Sequence, residues 1–283
     1  MTLLHITILA LIQGITEFLP ISSQAHLILV PVLTGWQDQG LIIDVAVHVG
    51  TLGAVALYFR RDLWLMLVAV ARLIIGQSSP GTKLVVNLAV ATVPVLVAGY
   101  LVQRYAGDSL RSPALIGWTT LGFGVLLYAA DRLSLTIRRI EHMKLGAALA
   151  IGLAQALALV PGTSRSGITM TAARLSGFER PEAARFSMLL SIPVILGAGV
   201  LSGLELYEVA DARLTATAAV AAVLAFGAAL AAIALLMRWL RSATFTPFVV
   251  YRVLLGIGLL VWVYFDRIEP IFLQLWAGIG LLS

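Results

Sequence analysis

The sequence predicts an all-α polytopic membrane protein with an inverted internal repeat, on the evidence of its composition, its segment lengths and an internal duplication. Of the 283 residues, 60% are hydrophobic and 12% are charged, with a mean hydropathy of +0.99, whereas about 25% of an ordinary soluble domain is charged. A water-soluble single domain is therefore excluded. The net charge of +5 is not concentrated in a basic run, which argues against nucleic-acid binding, and the absence of Cys excludes disulfides and thiolate chemistry.

The apolar segments have the lengths of membrane helices, which need about 20 residues to cross the hydrocarbon core. Only short connections separate them, so residues 1–283 form a single integral membrane domain. The stretch 63–76 is shorter and carries Arg72, which predicts a helix lying in the membrane interface. The apolar segments are 2–33, 41–59, 84–103, 113–130, 145–176, 186–204, 214–237, 246–265 and a C-terminal segment at 271–282.

Two copies of one unit are recognisable, over about 1–132 and 144–267. Alignment of PISS at 20–23 with PGTS at 161–164 pairs Pro with Pro, Ser22 with Thr163, and Ser23 with Ser164. Chance similarity between segments rich in Leu, Val and Gly does not account for matching polar residues. Weak internal symmetry with broken helices in corresponding positions is typical of transporter-like folds.

Each unit opens with a polar break inside an apolar run, FLPISSQAHL at 18–27 and LVPGTSRSGI at 159–168. Proline interrupts a helix, and the Ser, Thr and Gly that follow are suited to begin a new one. Irregular backbone at membrane depth is tolerated only where it is buried in protein or lines an aqueous cavity. The breaks therefore predict two re-entrant helical hairpins whose tips meet inside the membrane, alongside about six full transmembrane helices.

The basic residues predict how the two units are oriented. With one re-entrant hairpin, each unit crosses three times, so the second unit is inverted. Thirteen of the 19 Lys and Arg then lie on one side, which the positive-inside rule assigns to the cytoplasm. The first hairpin enters from the outside and the second from the inside. The other side holds Arg104, Arg111, Arg213 and Arg267, and two basic residues, Arg165 and Arg252, lie within spans.

Ionisable side chains at the two breaks are the candidate functional residues, because a charge at the bilayer centre costs at least about 2.5–3.5 kcal/mol. They are Glu17, His26 and Arg165, and polar side chains surround them. The surrounding residues are Gln13, Ser22, Ser23, Gln24, Thr163, Ser164 and Ser166. A Glu17–Arg165 ion pair that only joins the hairpins is the structural alternative, but it would not need these neighbours.

Hydroxyls, helix N-termini and an Arg suit a phosphate group, and a carboxylate with an imidazole suits proton transfer or nucleophile activation. The pattern predicts phosphoryl chemistry at membrane depth on a lipid. Ser23 is the candidate nucleophile, with Glu17 or His26 as its base; direct attack by water stays open. His48 is either a satisfied core histidine or a partner of the site, and Arg252 is expected to snorkel to the cytoplasmic interface.

The motifs QGITEFLPISSQAHL (13–27) and PGTSRSGIT (161–169) resemble the two signature motifs of the bacterial undecaprenyl-diphosphatase family, the BacA-type bacitracin-resistance proteins. The resemblance covers the whole chain in length, duplication and segment order. It implies an enzyme of the bacterial inner membrane that removes the terminal phosphate of undecaprenyl diphosphate, with its site facing the periplasm. The lipid carrier is thereby recycled for peptidoglycan synthesis.

The resemblance implies catalytic roles for Glu17, Ser23, His26 and Arg165. Two departures from the family pattern are the amide Gln13, which removes one metal ligand, and Gln24-Ala25, where Thr-Gly is common. A divalent cation, Mg²⁺ or Ca²⁺, is expected to be held mostly by the diphosphate, with Glu17 as the only anionic protein ligand and no organic cofactor. Substrate contacts are expected from Gln13, Ser22, Gln24, Thr163, Ser164 and Ser166.

The expected partners are the membrane and a polyprenyl diphosphate lipid, with no nucleic acid and with a homodimer left open. A flippase or transporter for polyprenyl phosphate is the alternative function, because inverted repeats with broken helices are transport architecture. Phosphate release from a prenyl diphosphate by the purified protein distinguishes the two functions.

The inverted arrangement predicts opposite accessibility for two connections. The variants Glu208→Cys and Arg139→Cys, made in a chain without cysteine, should react with a membrane-impermeant thiol reagent from the periplasm and from the cytoplasm, respectively. Modification of both cysteines from the same side of intact cells or inverted vesicles would contradict the inverted repeat.

Overall fold

The computed structural model describes residues 2–36, 40–105, 112–134, 137–209 and 212–278. Within these ranges the chain is helical, which confirms the predicted all-α class, and its only β-type pairing is an isolated bridge between Arg138 and Phe178. Short 3₁₀ turns at Ile140–His142 and Leu157–Leu159 flank α7. The α-helices are α1 (Leu3–Thr16), α2 (Ser23–Thr34), α3 (Leu41–Tyr58), α4 (Arg60–Ile74), α5 (Thr82–Tyr105), α6 (Pro113–Leu133), α7 (Leu145–Ala156), α8 (Arg165–Leu175), α9 (Arg180–Val209), α10 (Ala212–Trp239) and α11 (Thr246–Gly278).

Four helices in the described residues, α5, α6, α10 and α11, are long and apolar enough to cross a membrane, and the bent pair α3–α4 is a fifth candidate. Helix α9, with 30 residues, exceeds the length of a span. The side chains of its second part, 198–209, lie outside the described residues. The prediction of a polytopic membrane protein is confirmed.

The two broken segments form pairs of short helices, as expected for re-entrant hairpins. Helices α1 and α2 contain 14 and 12 residues, and α7 and α8 contain 12 and 11. At about 1.5 Å per residue, none of them reaches across a hydrocarbon core of about 30 Å. Each pair turns back at its polar break, so both breaks lie within the protein rather than at its surface.

The first hairpin is aligned with α10. Ile6, near the start of α1, belongs to the same apolar cluster as Ala218. Two turns later Gly14 lies against the backbone of Ala225 and Ala229. Because the contacts advance together along both helices, α1 and α10 run in the same direction.

The second hairpin is aligned with α5 in the same way. Asn87 donates to the carbonyl of Met143, just before α7 (3.2 Å), and Gly152 lies against the backbone of Ala91 one turn further along α5. Helix α7 therefore starts at the end of the molecule where α5 starts, whereas α1 starts where α10 starts.

The connections that the charge count places on one side contact one another. Arg185, in the first turns of α9, pairs with Asp62 of α4 and with Glu141 (3.3 Å). Lys83, at the start of α5, donates to the Glu141 carbonyl (2.9 Å). These residues define one end of the molecule, which we call the basic end.

A buried ion-pair cluster extends the basic end to the last three helices. Asp131, at the end of α6, pairs with Arg174 of α8 (3.0 Å) and Arg180 of α9 (2.7 Å). Its other carboxylate oxygen accepts from the backbone of Phe245, between α10 and α11 (3.3 Å). Helix α10 therefore ends where α5 begins, so the two hairpins enter from opposite ends and the predicted inversion is confirmed.

Helix α4 turns away from α3 by 86°. It exposes large apolar side chains, among them Trp64, Leu67 and Ile74. This geometry agrees with the helix predicted to lie in the interface. At the other end of the chain the prediction differs from the structure, because the segments expected at 246–265 and 271–282 are joined in one helix as far as Gly278. Residues 279–283 lie outside the described part.

Candidate active site

Both hairpin tips are built around a serine in a left-handed backbone conformation. Ser22 has φ 75° and caps α2, and Ser164 has φ 70° and caps α8. Each side-chain oxygen accepts from the backbone N–H three residues later, at Ala25 and Gly167 respectively. A positive φ is uncommon for a residue with a side chain, so two such serines mark the tips as constrained by their surroundings.

These caps correct the predicted register of the repeat. The sequence alignment pairs Ser22 with Thr163, but the structural counterpart of Ser22 is Ser164. Counted from the caps, the proline of the second tip lies one residue earlier than that of the first, so the offset between the repeats is 142 residues (164 − 22) and the first helical residues, Ser23 and Arg165, become equivalent. The predicted register was wrong because it aligned the two prolines, which do not lie at the same distance from the helix caps.

The second tip is packed so closely that one of its positions requires glycine. Gly162 has φ +88°, and a Cβ there would lie 2.1 Å from Thr119 Oγ1 and 2.7 Å from the Ile116 carbonyl oxygen. The Thr119 hydroxyl donates to the carbonyl of the preceding Pro161 (2.6 Å). Helix α6 thus supports the tip directly, and its threonine satisfies one backbone acceptor that a helix would otherwise have paired.

A buried carboxylate joins the two hairpins. Arg165 donates to Glu17 Oε1 (2.8 Å), while Ser23 Oγ (2.7 Å) and Gln13 Nε2 (2.9 Å) donate to Glu17 Oε2. The exposed fraction of the Glu17 side chain is 6% and that of Arg165 is 15%. The structure therefore brings together the predicted carboxylate, hydroxyl, amide and guanidinium, and it fixes a serine O–H on a carboxylate oxygen.

His48 is a partner of this cluster rather than a histidine satisfied in the core. Its Nδ1 lies 2.6 Å from the Asp44 carbonyl oxygen, so this nitrogen carries the proton. Its Nε2 lies 3.7 Å from Glu17 Oε2. Of the two alternatives left open by the sequence, the structure supports the second.

His26 is directed away from the carboxylate. Its Nδ1 lies 2.7 Å from the Ser22 carbonyl oxygen, and its Nε2 lies 2.5 Å from the hydroxyl of Tyr251 on α11. The two rings are stacked, with centroids 5.7 Å apart. Tyr251 was not among the site residues predicted from the sequence. The one sequence feature that could have indicated it is its position next to Arg252, a basic residue within a membrane span.

Of the other residues predicted to bind substrate, Ser166 and Thr163 are buried at the second tip and Gln24 is not. Ser166 donates to the Leu19 carbonyl of the other hairpin (2.9 Å), and its hydroxyl lies 3.2 Å from that of Ser164. Thr163 is fully buried, and its hydroxyl has no hydrogen-bond partner in the described chain. Gln24 is exposed on α2, and no hydrogen bond joins it to these groups within the described residues. Its expected contact with substrate stays a prediction.

Two buried polar atoms at the site thus stay unpaired within the described residues, Thr163 Oγ1 and Gln13 Oε1. A buried polar atom without a partner costs about 1–3 kcal/mol. Such atoms in a cluster of polar side chains are available to a ligand. They support the predicted binding roles of Gln13 and Thr163.

Arg252 corrects a second prediction. Its side chain was predicted to snorkel to the interface, but it is fully buried. Its guanidinium donates only to backbone carbonyls, and these belong to both tips and to α6. The acceptors are Pro20 (3.3 Å), Thr119 (3.5 Å), Thr120 (3.1 Å), Gly162 (3.0 Å) and Thr163 (3.0 Å). The side chain turns inward because the broken tips leave these acceptors unpaired, and in lipid they have no water to bond.

The charges of the site favour an anion. Glu17 is neutralised by Arg165, whereas Arg252 forms no ion pair with any carboxylate in the described ranges. The N-termini of α2 and α8 begin at the same tips and add positive dipole ends. The surplus positive charge lies in a low-dielectric region, where a phosphate group is attracted strongly.

The side chains do not form a dedicated metal site. Within the described ranges, no three His, Asp or Glu side chains converge as metal ligands. Both oxygens of Glu17 already accept hydrogen bonds, and a guanidinium lies 2.8 Å from one of them. A divalent cation at Glu17 would have to displace these donors, so the expected protein ligand does not fit the geometry.

The fold and the cluster define a polytopic membrane protein whose buried hydroxyl, carboxylate and guanidinium meet between two re-entrant hairpins. Residues 6–258 match the family described as "Bacitracin resistance protein BacA". The chain belongs to this family.

Named relatives extend the match to almost the full chain. "Undecaprenyl-diphosphatase 1" of Rhodospirillum rubrum is 54% identical over 93% of this chain and 96% of its own length. "Undecaprenyl-diphosphatase" of Jannaschia sp. is 53% identical, and that of Dinoroseobacter shibae is 54% identical. Both of these matches cover 93% of this chain and 100% of the relative.

Replacement of Arg252 tests its support of the tips. Arg252→Met should lower the free energy of unfolding by about 3 kcal/mol or more, because several buried carbonyls lose their donor. Arg252→Lys keeps the charge but cannot reach carbonyls on three segments with one ammonium group, so it should fall between Met and wild type. Thermal unfolding in detergent ranks the stabilities of wild type, Arg252→Lys and Arg252→Met. Arg238→Lys, at the exposed end of α10, is the control and should unfold as wild type does. Equal stability of Arg252→Lys and wild type would contradict the assignment.

Proposed function

We propose that the Ser23–Glu17–Arg165 cluster removes the terminal phosphate of undecaprenyl diphosphate and leaves undecaprenyl phosphate. The observation that carries this proposal is the 2.7 Å hydrogen bond from Ser23 Oγ to Glu17 Oε2, with Arg165 on the other carboxylate oxygen. A hydroxyl becomes a useful nucleophile when a base is held beside it. Membership of the family and relatives named undecaprenyl-diphosphatase support the same substrate.

The proposed first step is attack by Ser23 on the terminal phosphorus. A bond forms between Oγ and phosphorus, and the bond from phosphorus to the bridging oxygen breaks. The bridging oxygen leaves with the lipid as undecaprenyl phosphate, and the serine proton passes to Glu17. Water then hydrolyses the phosphoserine, which releases inorganic phosphate and restores the hydroxyl.

Glu17, rather than His26, is the base for Ser23 in this proposal. Its carboxylate already accepts the hydrogen bond of the Ser23 hydroxyl, whereas the hydrogen bonds of the His26 ring go to Ser22 and Tyr251 and not to Ser23. His26 lies one helical turn beyond the cap, and we assign it to the proton transfer at the leaving phosphate. The geometry therefore favours one of the two bases that the sequence allowed.

In this proposal, Arg165 and the N-termini of α2 and α8 stabilise the negative charge on the transferring phosphoryl group. Two N–H groups of Arg165 are occupied by Glu17 and by the Ser187 carbonyl (3.3 Å), and the rest of its five donors remain for phosphate oxygens. The first residues of α2 and α8, Ser23 and Arg165, both donate to Glu17, so the two helix N-termini lie close together. Electrostatic stabilisation of this kind is the larger part of phosphoryl-transfer catalysis.

A divalent cation enters this proposal only with the substrate. Because the residues present do not form a cation site, Mg²⁺ or Ca²⁺ would be held by diphosphate oxygens and water. We assign no step to it. The protein itself supplies the nucleophile, the base and the positive charge.

We place the site on the periplasmic side of the bacterial inner membrane. The contacts of the basic end support this orientation, because loops rich in Lys and Arg lie in the cytoplasm. Hydrolysis there would recycle the lipid carrier for peptidoglycan synthesis, and the family description connects this activity with bacitracin resistance. The inverted repeat alone would also serve a flippase, but transport does not require a serine held on a carboxylate.

Ser23→Ala separates attack by serine from attack by water. The variant should lose about 10³-fold or more in turnover while it retains binding of a prenyl diphosphate, since the nucleophile is removed and the phosphate contacts remain. A phosphoserine at position 23 should be recovered from wild type by rapid acid quench. Ser242→Ala, at an exposed serine outside the site, should behave as wild type. If Ser23→Ala keeps a tenth of the rate, direct attack by water is the better account.

Arg165→Lys separates phosphate binding from a purely structural ion pair. Lysine can still pair with Glu17, but its single ammonium cannot hold two phosphate oxygens with a planar fork. We expect a fall in kcat/KM of about 10²-fold with little change in thermal stability. Arg138→Lys, exposed at the basic end, is the matched control. Full activity of Arg165→Lys would show that the arginine only joins the hairpins.

A further inference from the structure

Among the described side chains of α11, Tyr251 makes the shortest hydrogen bond to the first hairpin. Its oxygen lies 2.5 Å from His26 Nε2, and the two rings are nearly parallel, with an interplanar angle of 12°. The other imidazole nitrogen lies 2.7 Å from the Ser22 carbonyl oxygen. Both ring nitrogens of His26 are therefore engaged before any substrate binds.

The partners of His26 determine its tautomer. A carbonyl oxygen can only accept, so Nδ1 carries a hydrogen and donates to Ser22. In the neutral imidazole Nε2 then has a lone pair, and the Tyr251 hydroxyl donates to it. The imidazole ring is thus held from two sides, by the cap residue Ser22 and by Tyr251 of α11, which belongs to the second repeat.

The position of Tyr251 is itself fixed by its neighbour in sequence. Arg252 is buried among carbonyls of both tips, so α11 cannot turn or slide without breaking those hydrogen bonds. Tyr251 is 42% exposed, so the protein covers its ring only in part. The same helix therefore supports the tip backbone with one residue and contacts the imidazole with the next.

We propose that Tyr251 is a positioning residue for His26, holding the imidazole with its Nε2 turned toward α11 and away from the Ser23–Glu17 pair, while the Ser22 carbonyl sets the Nδ1–H tautomer. This inference rests on the proposed function, in which His26 serves the leaving phosphate and Glu17 serves Ser23. A ring held in one orientation loses less freedom when the diphosphate binds, and such preorganisation contributes to rate rather than to binding.

Tyr251→Phe keeps the ring stack and removes only the hydroxyl. We expect kcat to fall about tenfold, the equivalent of one hydrogen bond, with KM unchanged within about twofold, since the phenol positions His26 and does not hold the lipid. In a His26→Asn background the same change should have no further effect, because the group it positions is absent. Tyr128→Phe, at a tyrosine of similar exposure on α6, should leave kcat unchanged.

A spectroscopic measurement tests the contact without substrate. In protein labelled with ¹⁵N-histidine, the His26 signals, assigned by their loss in His26→Asn, should show the single Nδ1–H tautomer in wild type and in Tyr128→Phe. Tyr251→Phe should keep this tautomer, which the Ser22 carbonyl sets, and should shift the Nε2 signal because its lone pair loses the phenol donor. Wild-type ¹⁵N signals together with wild-type kcat in Tyr251→Phe would overturn the proposal. If the purified protein released no phosphate, the proposed function would fail, but the Nε2 signal would still report whether Tyr251 positions the imidazole.

Discussion

The structure depends on how the broken backbone at two hairpin tips is satisfied inside a membrane. A helix pairs its own carbonyls, but a chain that stops and turns at membrane depth leaves acceptors with no water to bond. Arg252 supplies donors to three tip carbonyls, at Pro20, Gly162 and Thr163, and Thr119 supplies another at Pro161. Once the tips are held in this way, the caps, the polar side chains and the helix N-termini all converge on one place.

The corrected register shows how one scaffold carries two different chemical groups. Ser23 and Arg165 occupy equivalent first positions of α2 and α8, and both donate to the same carboxylate. In that register Gln155 is the counterpart of Gln13, and both are fully buried with an unpaired side-chain oxygen in the described chain. The counterpart of Glu17 is Leu159. The repeat thus duplicated the hairpin, and a single carboxylate on one copy serves both.

Much of this arrangement could be predicted from sequence, because polar residues inside apolar segments are conspicuous. The two breaks, the inversion and the convergence of Glu17, Ser23 and Arg165 follow from proline chemistry, charge asymmetry and the cost of buried charge. Arg252 and Tyr251 could not be assigned in the same way. A basic residue within a span can reach either the interface or an internal acceptor, and only the packing of α11 on α6 and the tips decides between them.

The two hairpins are anchored by different physical means, and this affects how the site can open. At the base of the second hairpin, Arg174 is fully buried against Asp131, and separating such a pair leaves an uncompensated charge that costs about 3–5 kcal/mol. The first hairpin instead packs on α10 through small residues such as Gly14 and Ala225. Contacts between small residues involve no ion pair and can shift at lower cost. The tip of this hairpin is nevertheless held to the second hairpin by the buried Glu17–Arg165 pair, and Arg252 donates to its Pro20 carbonyl. The contact of α1 with α10 is therefore easier to shift than the tips, so a lipid headgroup is admitted at lower cost by movement of α1 on α10 than by separation of the two tips.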